Sequence, residues 1–171
     1  MVKKRLIPVL LLKNGWLVQS KGFKEYKNLG NPTTAVKRLS EWAADELIYL
    51  DISTDDVYDI KREDQGYPNR KNLLEIISDV SNYAFMPITI GGKIRKIENI
   101  NQYLENGADK VCVNQITRAN PGFVKESSNE FGSQCIVVSI DVRLVDGVHR
   151  LFAHEENKTL EDKALDWALK M

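Results

Sequence analysis

Residues 86–92, Met-Pro-Ile-Thr-Ile-Gly-Gly, and residues 107–114, Gly-Ala-Asp-Lys-Val-Cys-Val-Asn, flank an amphipathic stretch at 95–106 that is long enough for a helix. Each flank reads as a short buried strand that ends in a group able to grip an anion, Gly91-Gly92 in one case and Asn114 in the other. A helical crossover between two strands of one sheet makes those strands parallel. Both tips then emerge on one edge, which is where α/β folds place their ligands.

The same alternation runs along the chain. Strand-like runs at 5–12, 46–52, 86–90, 110–114 and 135–141 are β-branched and almost continuously apolar, as parallel strands covered on both faces are. Leu73, Ile76, Ile77 and Val80 recur at helical spacing, as do Ala35, Val36, Leu39 and Trp42, and Ile97, Ile100 and Leu104. Asn31-Pro32 and Asn120-Pro121 each predict a helix start with proline in its first position. Thr159-Leu-Glu-Asp162 predicts the start of a last helix, and Asp146-Gly147 predicts a small hairpin between 143–145 and 148–152. Polar insertions at 16–30 and 53–70 follow the first two strands and are expected on the ligand edge as the most mobile segments.

Five strands alternating with five helices fit an open doubly wound sheet or part of a (β/α)₈ barrel. A full barrel takes at least about 200 residues, and this chain has 171, one ordinary domain's worth. Formal net charge is zero, from 24 basic and 24 acidic residues, which argues against a nucleic-acid or membrane-surface binder. The Met1-Val-Lys-Lys-Arg start is followed by an apolar run that Pro8 interrupts and Lys13-Asn14-Gly15 ends, too short for a signal peptide. A cytoplasmic protein is expected. Cys112 and Cys135 lie in apolar runs and read as buried free thiols. His149 and His154 are the only histidines and no cluster has metal-ligand spacing, so no metal is expected.

Gly91-Gly92 serves a turn as readily as a phosphate, and only the paired tip at Asn114 tilts the reading toward an anion. No P-loop and no dinucleotide fingerprint is present, and no cofactor is expected. Asp141 ends a strand on the ligand edge, where a carboxylate can act as general acid or base, and Asp51 ends another. Both residue types also cap and solvate. At the opposite end Arg5, Glu46 and Lys110 each open a strand, either as a solvated rim or as an ion-paired ring across a barrel floor.

Taken in order, Arg5-Leu-Ile-Pro8, Lys13-Asn-Gly15, Asp45 to Ile52, Ile90-Gly-Gly92, Gly107 to Val111, Asn114, Asn120-Pro121, Phe131-Gly-Ser-Gln134 and Val137 to Asp141 resemble the cyclase subunit of imidazole glycerol phosphate synthase. The resemblance runs over essentially the whole chain. It implies an α/β fold of the ribulose-phosphate-binding-barrel type: an incomplete (β/α)₈ TIM barrel of about five βα units, forming a single truncated domain over 1–171. It also implies that a glutaminase subunit docks at the barrel floor and releases ammonia, which passes a charged gate to a phosphorylated small-molecule substrate. Arg5, Glu46 and Lys110 then resemble three of the gate residues, and Asp109 part of the docking surface. Gly91, Gly92 and Asn114 resemble the first phosphate site, and Asp141 one of two catalytic aspartates.

Three positions depart from the family pattern. Leu11 stands where the second catalytic aspartate belongs, Gln19 replaces a loop lysine, and Lys93 replaces a third glycine. Leucine cannot exchange a proton. Leu-Leu-Leu-Lys-Asn-Gly at 10–15 is instead similar to a paralogous branch that works with a glutaminase and an amidotransferase on acetamidino sugars of surface polysaccharides. The branch reading is therefore favoured over a true histidine-pathway cyclase. An inactive remnant or binding module is the reading from a different class, and whether the chain turns over substrate stays open. Five unclosed strands would leave open edges, which predicts self-association or a complementing fragment.

Overall fold

The computed structural model describes residues 3–61, 63–64 and 66–171. Met1 and Val2 of the basic start, and Arg62 and Gln65 of the 53–70 insertion, lie outside the described residues. The chain divides into two compact units, 1–111 and 112–171.

The first unit runs β1 (Val9–Lys13), β2 (Trp16–Lys21), β3 (Glu25–Gly30), α1 (Pro32–Glu41), β4 (Leu47–Asp51), β5 (Glu63–Asp64), β6 (Tyr67–Pro68), α2 (Leu73–Ser81), β7 (Ile88–Gly91), α3 (Ile97–Glu105) and the start of β8 (Lys110–Val113). Its sheet has the order β3-β2-β1-β4-β7-β8. β1 pairs with β4, and β4 with β7, in parallel. In register, Val9, Ile48 and Thr89 share one face with Leu11, Leu50 and Gly91; Leu10, Tyr49 and Ile90 share the other with Leu12 and Asp51.

Helices cover the Tyr49 face. The Tyr49 hydroxyl donates to the Pro32 carbonyl at 2.8 Å, and Val36, Ile76, Ile77, Val80 and Ile100 are buried. Each such side chain contributes about 1.5–3 kcal/mol relative to exposure. On the opposite face Leu11, Ile48 and Leu50 are only half-buried. The helix starts follow from their caps. Asn31 Oδ1 accepts from Thr33 N at 2.8 Å with Pro32 in the first helical position, as expected. Asn72 Oδ1 accepts from Glu75 N at 3.0 Å, and Glu75 reaches back to Lys71 N at 2.9 Å.

The 16–30 segment corrects an expectation. It is not an irregular insertion but a hairpin, β2 pairing antiparallel with β1 and with β3. Trp16 and Leu17 are buried and anchor it. Gly22 and Phe23, both at positive φ (60° and 55°), make the tight turn.

The second unit continues from the end of β8 through α4 (Gln115–Ala119), α5 (Phe123–Phe131), a 3₁₀ turn (Ser133–Cys135), β9 (Ile136–Val138), β10 (Val142–Val145), β11 (Val148–Ala153), β12 (Lys158–Lys163) and α6 (Ala164–Lys170). β9 lies beside β8, and Ser139 N donates to the Val113 carbonyl at 2.8 Å. β10, β11 and β12 form an antiparallel sheet of their own. The expected hairpin is present, with Asp146 and Gly147 at positive φ in its turn.

Two helix starts fall elsewhere. Asn120 closes α4, its N–H donating to the Ile116 carbonyl at 2.8 Å, and its Oδ1 accepts from Gly122 N at 3.1 Å. The contact has the same form as that of Asn31 with Thr33, but Pro121 and Gly122 form a turn and α5 begins at Phe123. Thr159 does not open a helix either. It pairs with Phe152 in β12, and α6 begins at Ala164. Cys112 and Cys135 are free thiols, the first buried and the second half-buried. Among the described residues no helix is long and apolar enough to cross a membrane.

Candidate functional site

Polar chemistry gathers at both ends of the strands. At the strand starts of the first unit, Glu46 is buried and holds two cations at once. Arg5 pairs with its Oε1, and Lys110 Nζ donates to its Oε2 at 2.9 Å. The Lys110 hydrogen bond, with the charges of Lys110 and Arg5, holds the Glu46 carboxyl below its ordinary range against the opposing effect of burial. The three residues are thus one ion-bridged cluster rather than separate rim charges, although Arg5 does not open a strand as expected, since β1 begins only at Val9.

Two aspartates set the ends from which this cluster springs. Asp45 N donates to the Leu6 carbonyl at 3.1 Å, and Leu6 N donates to Asp45 Oδ2 at 2.7 Å. Asp109 repeats the arrangement on Ile88, at 3.0 Å and 2.8 Å. Each aspartate immediately precedes a cluster residue, Glu46 or Lys110. Asp109 therefore has a structural use within its own unit, whatever else it meets.

At the strand ends of the first unit the centre is Asp51, whose side chain is fully buried. Its carboxylate accepts from Ser53 Oγ at 2.5 Å, Ser53 N at 3.0 Å and Tyr58 Oη at 2.6 Å. Burial, then the Asp51 charge, pushes the Tyr58 phenol up, so it stays a donor. Lys93 Nζ lies 3.4 Å from Asp51 and 3.5 Å from Asp56, and it also donates to the Asp55 carbonyl. Its charge is spent on this acidic loop, tying the loop after β4 to the loop after β7. Removing one donor tests the cluster: Tyr58→Phe is expected to cost about 1.5–3 kcal/mol, because a hydrogen bond to a buried charge is lost, measured by urea unfolding.

Gly91 ends β7 and Gly92 follows it at φ +97°. A Cβ on Gly92 would lie 2.1 Å from the Asp51 carbonyl oxygen. Close backbone approach accounts for this glycine before any ligand is considered. Leu11 sits mid-strand between Leu50 and Val18, and Gln19 is exposed opposite Lys27.

In the second unit Asn114 follows β8 and Asp141 follows β9. Asn114 Nδ2 donates to Asp141 Oδ2 at 2.9 Å, and Arg118 donates to Asn114 Oδ1 at 3.0 Å. Glu155, in the turn between β11 and β12, pairs with Arg118. Burial pushes the Glu155 carboxyl up, but a backbone hydrogen bond and the Arg118 guanidinium outweigh it and hold the group low. Burial, then the Asp141 charge, pushes the Cys112 thiol up to about 11, which keeps it protonated and unreactive. Among the described residues no group of His, Cys, Asp and Glu is placed to hold a metal ion.

Sequence reasoning found Asp141, Asn114 and the Arg5, Glu46 and Lys110 cluster as positions, and did not find Tyr58, Arg118 or Glu155. Arg118 had a signal, since four residues from Asn114 places it one helical turn on. Tyr58 and Glu155 act across loops and had none.

These features define an α/β protein with a parallel sheet, an ion-bridged cluster at its strand starts and carboxylates at its strand ends. The profile of the histidine biosynthesis protein family matches residues 5–171, and the chain belongs to that family. It is 35% identical over 168 residues to the imidazole glycerol phosphate synthase subunit HisF of Exiguobacterium sp. (strain ATCC BAA-1283 / AT1b), a match covering 98% of this chain. The chain spans 62% of the length of that curated relative.

Proposed function

We propose that this chain serves, as one barrel-type domain in the cytoplasm, as a synthase subunit that takes ammonia from a glutaminase partner to a phosphorylated substrate. The observation that carries the reading is the buried Glu46 bridging Arg5 and Lys110. On this reading the ion-bridged side chains at the strand starts form part of a gate, and their long side chains part for a small neutral molecule. Ammonia would then meet the half-buried apolar face of Leu11, Ile48 and Leu50, which offers no proton to trap it as ammonium. Gly91, Gly92 and Asn114 are assigned to a phosphate of the substrate, Asp141 to proton transfer and Asp109 to the glutaminase contact, on the family resemblance.

In the favoured version the substrate is a surface-polysaccharide sugar that is amidinated with the help of an amidotransferase. Leu11 supports it, because ring closure by paired acid and base would lack one partner. The second version is a true imidazole glycerol phosphate synthase cyclase, favoured by the similarity to the curated HisF protein. Complementation of a histidine auxotroph that lacks its cyclase separates them: no growth is expected, and growth without histidine overturns the sugar version. Glutamine hydrolysis by the neighbouring glutaminase, with and without this chain, tests the shared part. Stimulation is expected, and a glutaminase indifferent to the chain overturns the ammonia role.

A further inference from the structure

We propose that Arg118, braced by Glu155, is a positioning residue that fixes the side-chain amide of Asn114 and so presents its NH₂ group to Asp141. The proposal rests on the reading of Asp141 as the proton-transfer group, and it assigns a role to the β10-β11-β12 sheet, which no part of that reading uses.

Asn114 follows a strand and Asp141 follows the neighbouring one, so their side chains meet at 2.9 Å. An amide has a donor end and an acceptor end, and nothing local prevents it from turning over. Here both ends are specified. Arg118, one turn along α4, can only donate, and it faces Oδ1 at 3.0 Å. Asp141 as a carboxylate can only accept, and it faces Nδ2. A reversed amide would set its oxygen against a carboxylate and its NH₂ against a guanidinium, so turning it over costs both hydrogen bonds and adds two repulsions.

Arg118 itself needs holding. Its side chain is 15% exposed, and a flexible guanidinium at that depth would otherwise seek water or Asp141 directly. Glu155 occupies its other nitrogen. Glu155 reaches the site because the second hairpin turns there, and that sheet is tied to the strand tip by Phe152 N donating to the Asp141 carbonyl at 2.8 Å. The chain Glu155, Arg118, Asn114, Asp141 alternates acceptor and donor without a break. Its effect is to aim the Asp141 carboxylate and to keep the Asn114 oxygen turned away from it.

The test reads the amide directly and needs no turnover, so its failure is distinct from a failure of the proposed activity. In ¹⁵N-labelled full chain, the Asn114 side-chain NH₂ pair is assigned by comparison with Asn114→Asp. Arg118→Met is expected to speed exchange of that pair about tenfold, because an amide no longer held at Oδ1 turns more freely and breaks its bond to Asp141. Arg118→Lys should restore part of the protection and Glu155→Gln should give an intermediate value. A merely structural Arg118 would lower the unfolding midpoint without this graded effect on one amide. Unchanged exchange in Arg118→Met overturns the proposal. If that variant does not fold, unchanged exchange in Glu155→Gln overturns it as well.

Discussion

Gly92→Ala should unfold the first unit at markedly lower urea than the parent chain, with a loss of about 3 kcal/mol or more. Two costs combine. A φ of +97° lies where L side chains are strained. The new Cβ would also meet the Asp51 carbonyl oxygen at 2.1 Å, with the Asp51 carbonyl carbon and nitrogen at 2.9 and 3.0 Å. Those atoms are backbone of β4, and the Asp51 side chain is itself pinned by Ser53, Tyr58 and Lys93. Neither strand can yield without opening that cluster. Gly22→Ala is the control, because its φ is also positive (+60°) but nothing lies within 4 Å of its Cβ. It should cost about 1 kcal/mol. Equal losses for the two variants would show that β4 and β7 are free to separate, and would return Gly92 to the role of a generic turn glycine.

That contrast explains part of what the sequence could show. The strands of the parallel sheet were legible because each is a short continuous apolar run, the pattern of strands between helix-bearing connections, although Leu11, Ile48 and Leu50 on the face away from Tyr49 are only half-buried here. The β2–β3 hairpin was not, because its strands, of which β3 is the sheet edge, carry Gln19, Ser20, Lys27 and Asn28 among few apolar residues and so look like a polar loop. Asn120-Pro121 misled by two residues: Asn120 Oδ1 accepts from Gly122 N while its own N–H closes α4 on the Ile116 carbonyl, so a turn intervenes before α5 starts at Phe123. At the site, charge at a strand start is visible in a linear sequence, and so are Asn114 and Asp141 at strand ends. The partner that orients them is not, since Glu155 is 37 residues from Arg118 and meets it only through the hairpin. Lys93 was legible as a replaced glycine, but its use was not: Asp51 at the end of β4 and Asp55 and Asp56 in the loop after it absorb its charge through side chains and a carbonyl.

Glu46→Gln is the second large effect, on stability and on coupling together. The buried carboxylate is the only anion shared by Arg5 and Lys110 among the described ion pairs, so an amide there leaves two cations facing a neutral group. Arg5 is 57% exposed and regains water, which limits the loss to about 1–2 kcal/mol at neutral pH. The sign of the pH dependence follows from the direction of the shift. The Glu46 carboxyl is held below its ordinary 4.5, so its contribution is present above that value and lost as pH falls through the lower folded one. The gap between parent and variant should therefore be constant from pH 7 down to about 5 and close in more acid solution. On the proposed function the same change disturbs the gate. Turnover driven by glutamine should fall about tenfold, the equivalent of about 1.4 kcal/mol, while turnover driven by added ammonium salt should change little. Equal losses with the two nitrogen sources would place Glu46 outside any ammonia path and leave it as a structural ion pair, because only a gate distinguishes ammonia arriving through the strand starts from ammonia arriving through the solvent.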